Sequence, residues 1–132
     1  MKCLSLPQPW ASLTILGALR HDTRTWQTSH RGPLAIHAAR KFPDDARDLC
    51  RREPIRSLLL RHGIRGSADL PLGKVLGCVE MVGCVPAEQF GGDRDGGRPG
   101  PWAWVFLRPT RLAVPVPHRG QLGLFDIPDY LV

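Results

Sequence analysis

Apolar and polar positions along the chain change their spacing several times, and each change marks an element. Lys2 to Leu6 carries Leu4 and Leu6 two residues apart before Pro7 stops the run, which predicts a short first strand. Trp10, Leu13 and Leu16, with Ile15, then recur at helical spacing. Pro9 suits the first turn of that helix and Gly17 its end. Thr23 to Thr28 is rich in β-formers and reads as a second strand; after a turn at Ser29-His30-Arg31-Gly32, Leu34 to Ala38 reads as a third.

Asp44 and Asp45 follow Pro43 and open a polar helix toward Arg52, where carboxylates suit the positive end of the helix dipole. Pro54 must break or restart it. Ile55, Leu58, Leu59 and His62 give a second helical face ending at Gly63, and a loop from Gly66 to Gly73 leads into a long apolar strand, Lys74 to Val85. Residues 91–100 have too little apolar content to pack and read as a mobile loop. Trp102 to Leu107 and Gln121 to Ile127 are the closing strands, joined through the proline-spaced stretch Leu112 to Pro117. Five or six short strands, with two to three helices gathered in the first half, predict an α+β barrel rather than a doubly wound sheet.

Composition narrows the picture. At 132 residues, 42% of them apolar, the chain is expected to fold as a single domain over 1–132, since two cores of half this length would each be hard to stabilise. The net charge of +6 is unevenly placed: residues 1–66 hold twelve Lys/Arg against five Asp/Glu, residues 67–132 six against seven. Fifteen of the 18 cations are Arg, whose planar fork binds phosphate and stacks on bases, so RNA or DNA is the expected partner.

Cys3, Cys50, Cys78 and Cys84 form no Cys-x-x-Cys pair and no signal peptide precedes them, which predicts buried thiols in a reducing cytoplasm. No apolar run approaches the ~20 residues of a membrane helix. No phosphate loop, dinucleotide fingerprint, nucleophile elbow or metal motif occurs, so neither cofactor nor metal is expected.

The stretch from Gly17 to Gly32 concentrates the candidate chemistry, with Arg20, Asp22, Arg24, Trp26 and Arg31 inside sixteen residues. A strand there puts Asp22, Arg24 and Trp26 on one face by its two-residue period. Two arrangements fit: Trp26 in the core with Arg24 paired to Asp22 or to a solvated carbonyl, or arginines on a nucleic-acid backbone with a base stacked on the ring. His37, between Ile36 and Ala38, is read as a hydrogen-bonded structural histidine that is also a candidate acid or base. Glu80, in an apolar strand, is expected at the surface or beside an arginine.

Taken jointly, Leu4-Ser5-Leu6 with Gln8 to Leu13, Gly17 to Trp26, His30 to Leu34, Gly73 to Cys84 and Gly120 to Phe125 resemble the ASCH domain, a member of the PUA-like β-barrel superfamily. The family signature reads Gly-x-Lys-x-x-Glu-x-Arg, commonly followed by x-Trp; Gly17, Arg24 and Trp26 match it, and Asp22 replaces Glu. The resemblance implies a PUA-like small barrel whose cleft receives RNA or DNA, with Gln8, Trp10 and Arg31 near that cleft. It also implies two rival functions: some relatives are reported as amidohydrolases of acetylated cytidine or as ribonucleases, and the namesake is a transcriptional cofactor, which suggests a protein-interaction module. Leu19 stands where the signature has the lysine of the proposed hydrolytic apparatus, and it can neither carry a proton nor act as a nucleophile. Binding by a monomer, rather than catalysis, is therefore the expectation.

Overall fold

The computed structural model describes residues 1–90 and 100–132, so all but the last residue of the loop expected at 91–100 lies outside the described residues. Strand β1 is Lys2–Leu6 and helix α1 is Trp10–Ile15. All six residues of α1 are buried. Buried Gln8 stands in for a helix cap: its Oε1 accepts from the Ser12 backbone N–H at 3.0 Å, while its Nε2 donates to Ser12 Oγ at 2.8 Å and to the Pro71 carbonyl at 2.9 Å. At the other end Ala18 N–H bonds the Leu13 carbonyl and Gly17 N–H the Thr14 carbonyl. This paired closure needs a left-handed residue at position 17, where the glycine has φ +81°.

The remaining strands are β2 (His21–Arg24), β3 (Gly32–Ala38), β4 (Lys74–Pro86), β5 (Trp102–Pro117) and β6 (Leu124–Asp126). Between β3 and β4 lie α2 (Asp44–Leu49), which starts after Pro43 as expected but stops short of Arg52, and α3 (Ile55–Arg61), which restarts after Pro54.

Two strand expectations are corrected. β2 is displaced toward the N-terminus, covering residues 21–24 instead of 23–28, so Trp26 falls beyond it. β5 runs through the expected connection as one 16-residue strand. Pro109, Pro115 and Pro117 sit in its second part, where β4 is its pairing partner among the described residues; a missing N–H is tolerated on a margin that bonds to no further strand.

The six strands make one mixed sheet in the order β2-β5-β4-β3-β1-β6, with β1 and β3 parallel and the other neighbours antiparallel. The sheet curls until its margins meet. From β2, Arg24 Nη2 reaches the Ser5 carbonyl of β1 at 3.3 Å. Trp26, just past β2, lies 4.0 Å from where a Cβ on Gly123, just before β6, would stand. With three α-helices alongside, the result is the expected α+β PUA-like small barrel.

Three apolar clusters hold it together. Leu4, Leu6, Leu34, Ile36, Met81, Trp104 and Phe106 pack with Ala11 and Ile15 of α1. Trp10 and Leu13 turn the other way, onto Ile55 and Leu59 of α3, with Leu19 packed against them. Cys3, Ala35, Val75, Phe125 and Ile127 cover the other face at β1 and β3. Burying each Val, Leu, Ile, Met or Phe among them contributes roughly 1.5–3 kcal/mol.

Candidate functional site

The two-residue period of β2 places Asp22 and Arg24 on one face, and they pair there. Arg24 Nε donates to Asp22 Oδ2 at 3.0 Å, with the two side chains only 8% and 1% exposed. The guanidinium also lies 5.5 Å from the centre of the buried Trp104 ring. Trp104 donates its Nε1–H to the Trp26 carbonyl at 3.1 Å and meets the Trp26 ring edge-on at 4.6 Å. Of the two indoles, Trp104 is the core residue, and Trp26 keeps about a third of its surface exposed.

His37 is buried and holds both ring nitrogens in hydrogen bonds. Its Nε2 is 2.7 Å from the His118 carbonyl, which can only accept, so Nε2 carries the hydrogen. Nδ1 of the neutral ring then accepts from Ser5 Oγ at 2.9 Å. Burial is the main reason its pKa falls below the ordinary 6.5; the His118 carbonyl opposes that shift and the charge of the His118 ring adds to it. Gly120 closes over the pair: a Cβ there would stand 2.8 Å from His37 Cε1 and 3.3 Å from Ser5 Oγ.

Beside this network opens a groove of about 1210 Å³, with Ser5 and His37 in its wall. Arg40, Lys41, Lys74 and Arg119 line it, with no carboxylate among its lining residues. Sheet topology assembles these cations. β3 ends opposite the start of β4, where Ala38 pairs with Lys74, and Lys74 pairs in turn with Pro117 at the end of β5. The segments that carry Arg40–Lys41, Lys74 and Arg119 therefore emerge at one end of the barrel.

None of those four residues stood out in the sequence, where they are spread from 40 to 119. The available signals were modest: a basic dipeptide directly after a strand, and Arg119 next to the Gly120 that resembles the family. The residues that did stand out are distributed differently. Gln8 is consumed in closing α1, and Trp10 is buried against Ile55 and Leu59. Arg20 is exposed and lines a separate recess with Leu19 and Arg108. Arg31 donates to the carbonyls of Thr28 and His30 in its own turn, at 3.1 and 2.8 Å. Asp22, Arg24 and Trp26 come together around Trp104, Arg24 reaches Ser5, and His37 joins Ser5 from the other side.

The chain matches the ASCH domain family over residues 4–95. It is 33% identical over 128 residues to human activating signal cointegrator 1 and 34% identical to the mouse protein of that name, an alignment that covers 95% of this chain. The chain belongs to the ASCH domain family. It spans about a fifth of the length of these curated relatives, 22% in each case. Among the described residues no helix is long and apolar enough to cross a membrane.

Proposed function

We propose that this chain binds RNA or DNA along the groove between the ends of β3 and β5, with Arg40, Lys41, Lys74 and Arg119 on the phosphate backbone. One observation carries the reading: four cations from three separate strand ends line a single groove that no carboxylate lines among the described residues. Strand-end residues held by a curled, hydrogen-bonded sheet present charge in a fixed pattern, which suits a regularly spaced polyanion. The relatives' name, activating signal cointegrator, fits a regulatory setting for such binding. The experiment is a titration of single-stranded RNA and DNA oligonucleotides at several salt concentrations. Four phosphates neutralised give a log–log slope of about −3 for a single strand. No binding at low salt, or a flat salt response, overturns the reading.

A second reading rests on Ser5 and His37. A serine hydroxyl donating to a neutral imidazole, itself fixed by a carbonyl, is a nucleophile–base pair in outline, and both residues line the groove. It makes the chain a hydrolase of RNA or of a modified nucleoside. Turnover of such a substrate, lost in Ser5→Ala while oligonucleotide binding is kept, supports it; absence of turnover removes it. Lysine-based hydrolysis has no group at the signature position, where Leu19 packs into the cluster around Trp10 and Leu59.

A further inference from the structure

The segment from His118 to Gly123 is polar or glycine except at Leu122, which is 99% exposed and lines the cationic groove. Its backbone is fixed on both sides. His118 N–H donates to the Gly73 carbonyl at 3.1 Å, the His118 carbonyl accepts from His37, and Gly120 is packed on the His37 ring. After Leu122 comes Gly123, where a Cβ would stand 4.0 Å from Trp26 Cζ2. Leu122 is thus an apolar side chain on an anchored strap, covered by no described residue, in the lining of the cationic groove and next in sequence to Gly123, which lies near the partly exposed Trp26.

A leucine so exposed adds nothing to the core. Its surroundings define what would cover it. The adjoining wall is cationic, so an occupant must carry anionic groups, and it must also present an apolar face a short distance from them. A nucleotide does both, with phosphate on one side of the sugar and the flat face of a base on the other. Aliphatic side chains at nucleic-acid interfaces serve as wedges between base steps, and aromatic rings as stacking platforms.

We propose that Leu122, with the exposed edge of Trp26, forms an apolar step on which one base of the bound strand rests, unstacked from its neighbour. This rests on the groove reading above and adds a contact to the base where that reading has contacts to phosphate. A step of this kind accepts any base, because every base has an apolar face.

The test uses the whole chain, a single-stranded oligonucleotide carrying 2-aminopurine, and a strand of equal length that is abasic at its central positions, each made as DNA and as RNA. Leu122 touches no core, so Leu122→Ala should melt as the native protein does. Native protein should raise the 2-aminopurine emission and bind the intact strand more tightly than the abasic one. Leu122→Ala should lose the emission rise and weaken binding to the intact strand by about five-fold or more. Its affinity for the abasic strand and its salt slope should stay unchanged, because no charge has been removed. Should Leu122→Ala match the native protein on both strands while Arg40→Ala with Lys41→Ala weakens both, the step is wrong and the groove stands. Failure of the native protein to bind either strand at low salt overturns both proposals.

Discussion

Arg24 and Asp22 form an ion pair inside the barrel wall, Nε to Oδ2 at 3.0 Å, and the same guanidinium reaches across to the Ser5 carbonyl of β1. An arginine placed this way ties the last strand-forming residue of β2 to the opposite margin of the sheet. Arg24→Ala leaves a buried carboxylate without that partner, and breaking a buried pair from one side costs about 3–5 kcal/mol. Chemical denaturation should show the loss directly. An Arg24→Ala protein with a native midpoint but no affinity for oligonucleotide would instead make Arg24 a ligand contact.

Charge in the groove should matter more than charge elsewhere on the chain. Replacing Arg40 and Arg119 by Ala should lower affinity for a single strand and make the log–log salt slope shallower by roughly 1.4, at about 0.7 for each phosphate contact. Arg20→Ala with Arg31→Ala removes the same charge from outside the groove and should leave the slope nearly as it was. Equal losses in the two double variants would point to diffuse attraction.

His37 makes stability depend on pH below neutrality. Its pKa is lower in the folded chain than the ordinary 6.5, so below that value the unfolded chain takes up a proton that the folded one resists. The contribution of neutral His37 is therefore complete above pH 6.5 and is lost as the pH falls toward the depressed value. Melting temperatures from pH 7.5 down to 5 should decline, and His37→Asn should flatten that part of the curve. An unchanged profile in the variant would assign the decline to other groups.

Gly120 is the position where one added methyl should disturb the groove most. Its Cβ would stand 2.8 Å from His37 Cε1, closer than such contacts occur, and the ring cannot yield without losing its bond to Ser5 or to His118. Gly120→Ala should destabilise by about 1–3 kcal/mol. The imidazole resonances of His37 should shift with it. A native melt and an unmoved His37 spectrum would show that the strap can lift away freely.

How far the sequence revealed this arrangement depends on what each residue needed from its surroundings. α1 was legible because Pro9, the apolar spacing and Gly17 are local instructions, and the helix they describe is the one that forms. The shared face of Asp22 and Arg24 was also legible, since a strand's period is local. The limits of β2 were not, because Thr25, Trp26 and Thr28 are β-formers without a paired strand: pairing with β5 ends at Arg24 opposite Trp102. Three prolines hid the continuity of β5, since their effect on a strand depends on whether the affected side has a neighbour. The groove was least legible of all. Arg40, Lys41, Lys74 and Arg119 become neighbours only through the pairing of Ala38 with Lys74 and of Lys74 with Pro117. The arginines that crowd together in the sequence around β2 take up separate tasks, one inside the wall and two outside it.

The prolines of β5 have an effect outside the molecule as well. Beyond Phe106 no strand among the described residues pairs with β5 on the side away from β4, and Val114 is exposed there; an unpaired, β-prone border is where another chain can add a strand. Pro109, Pro115 and Pro117 take three backbone donors out of this part of the strand, so an arriving strand would find fewer partners for its carbonyls. If the groove binds a long polyanion, copies of this chain are brought close together there, and prolines in that border oppose strand addition between them.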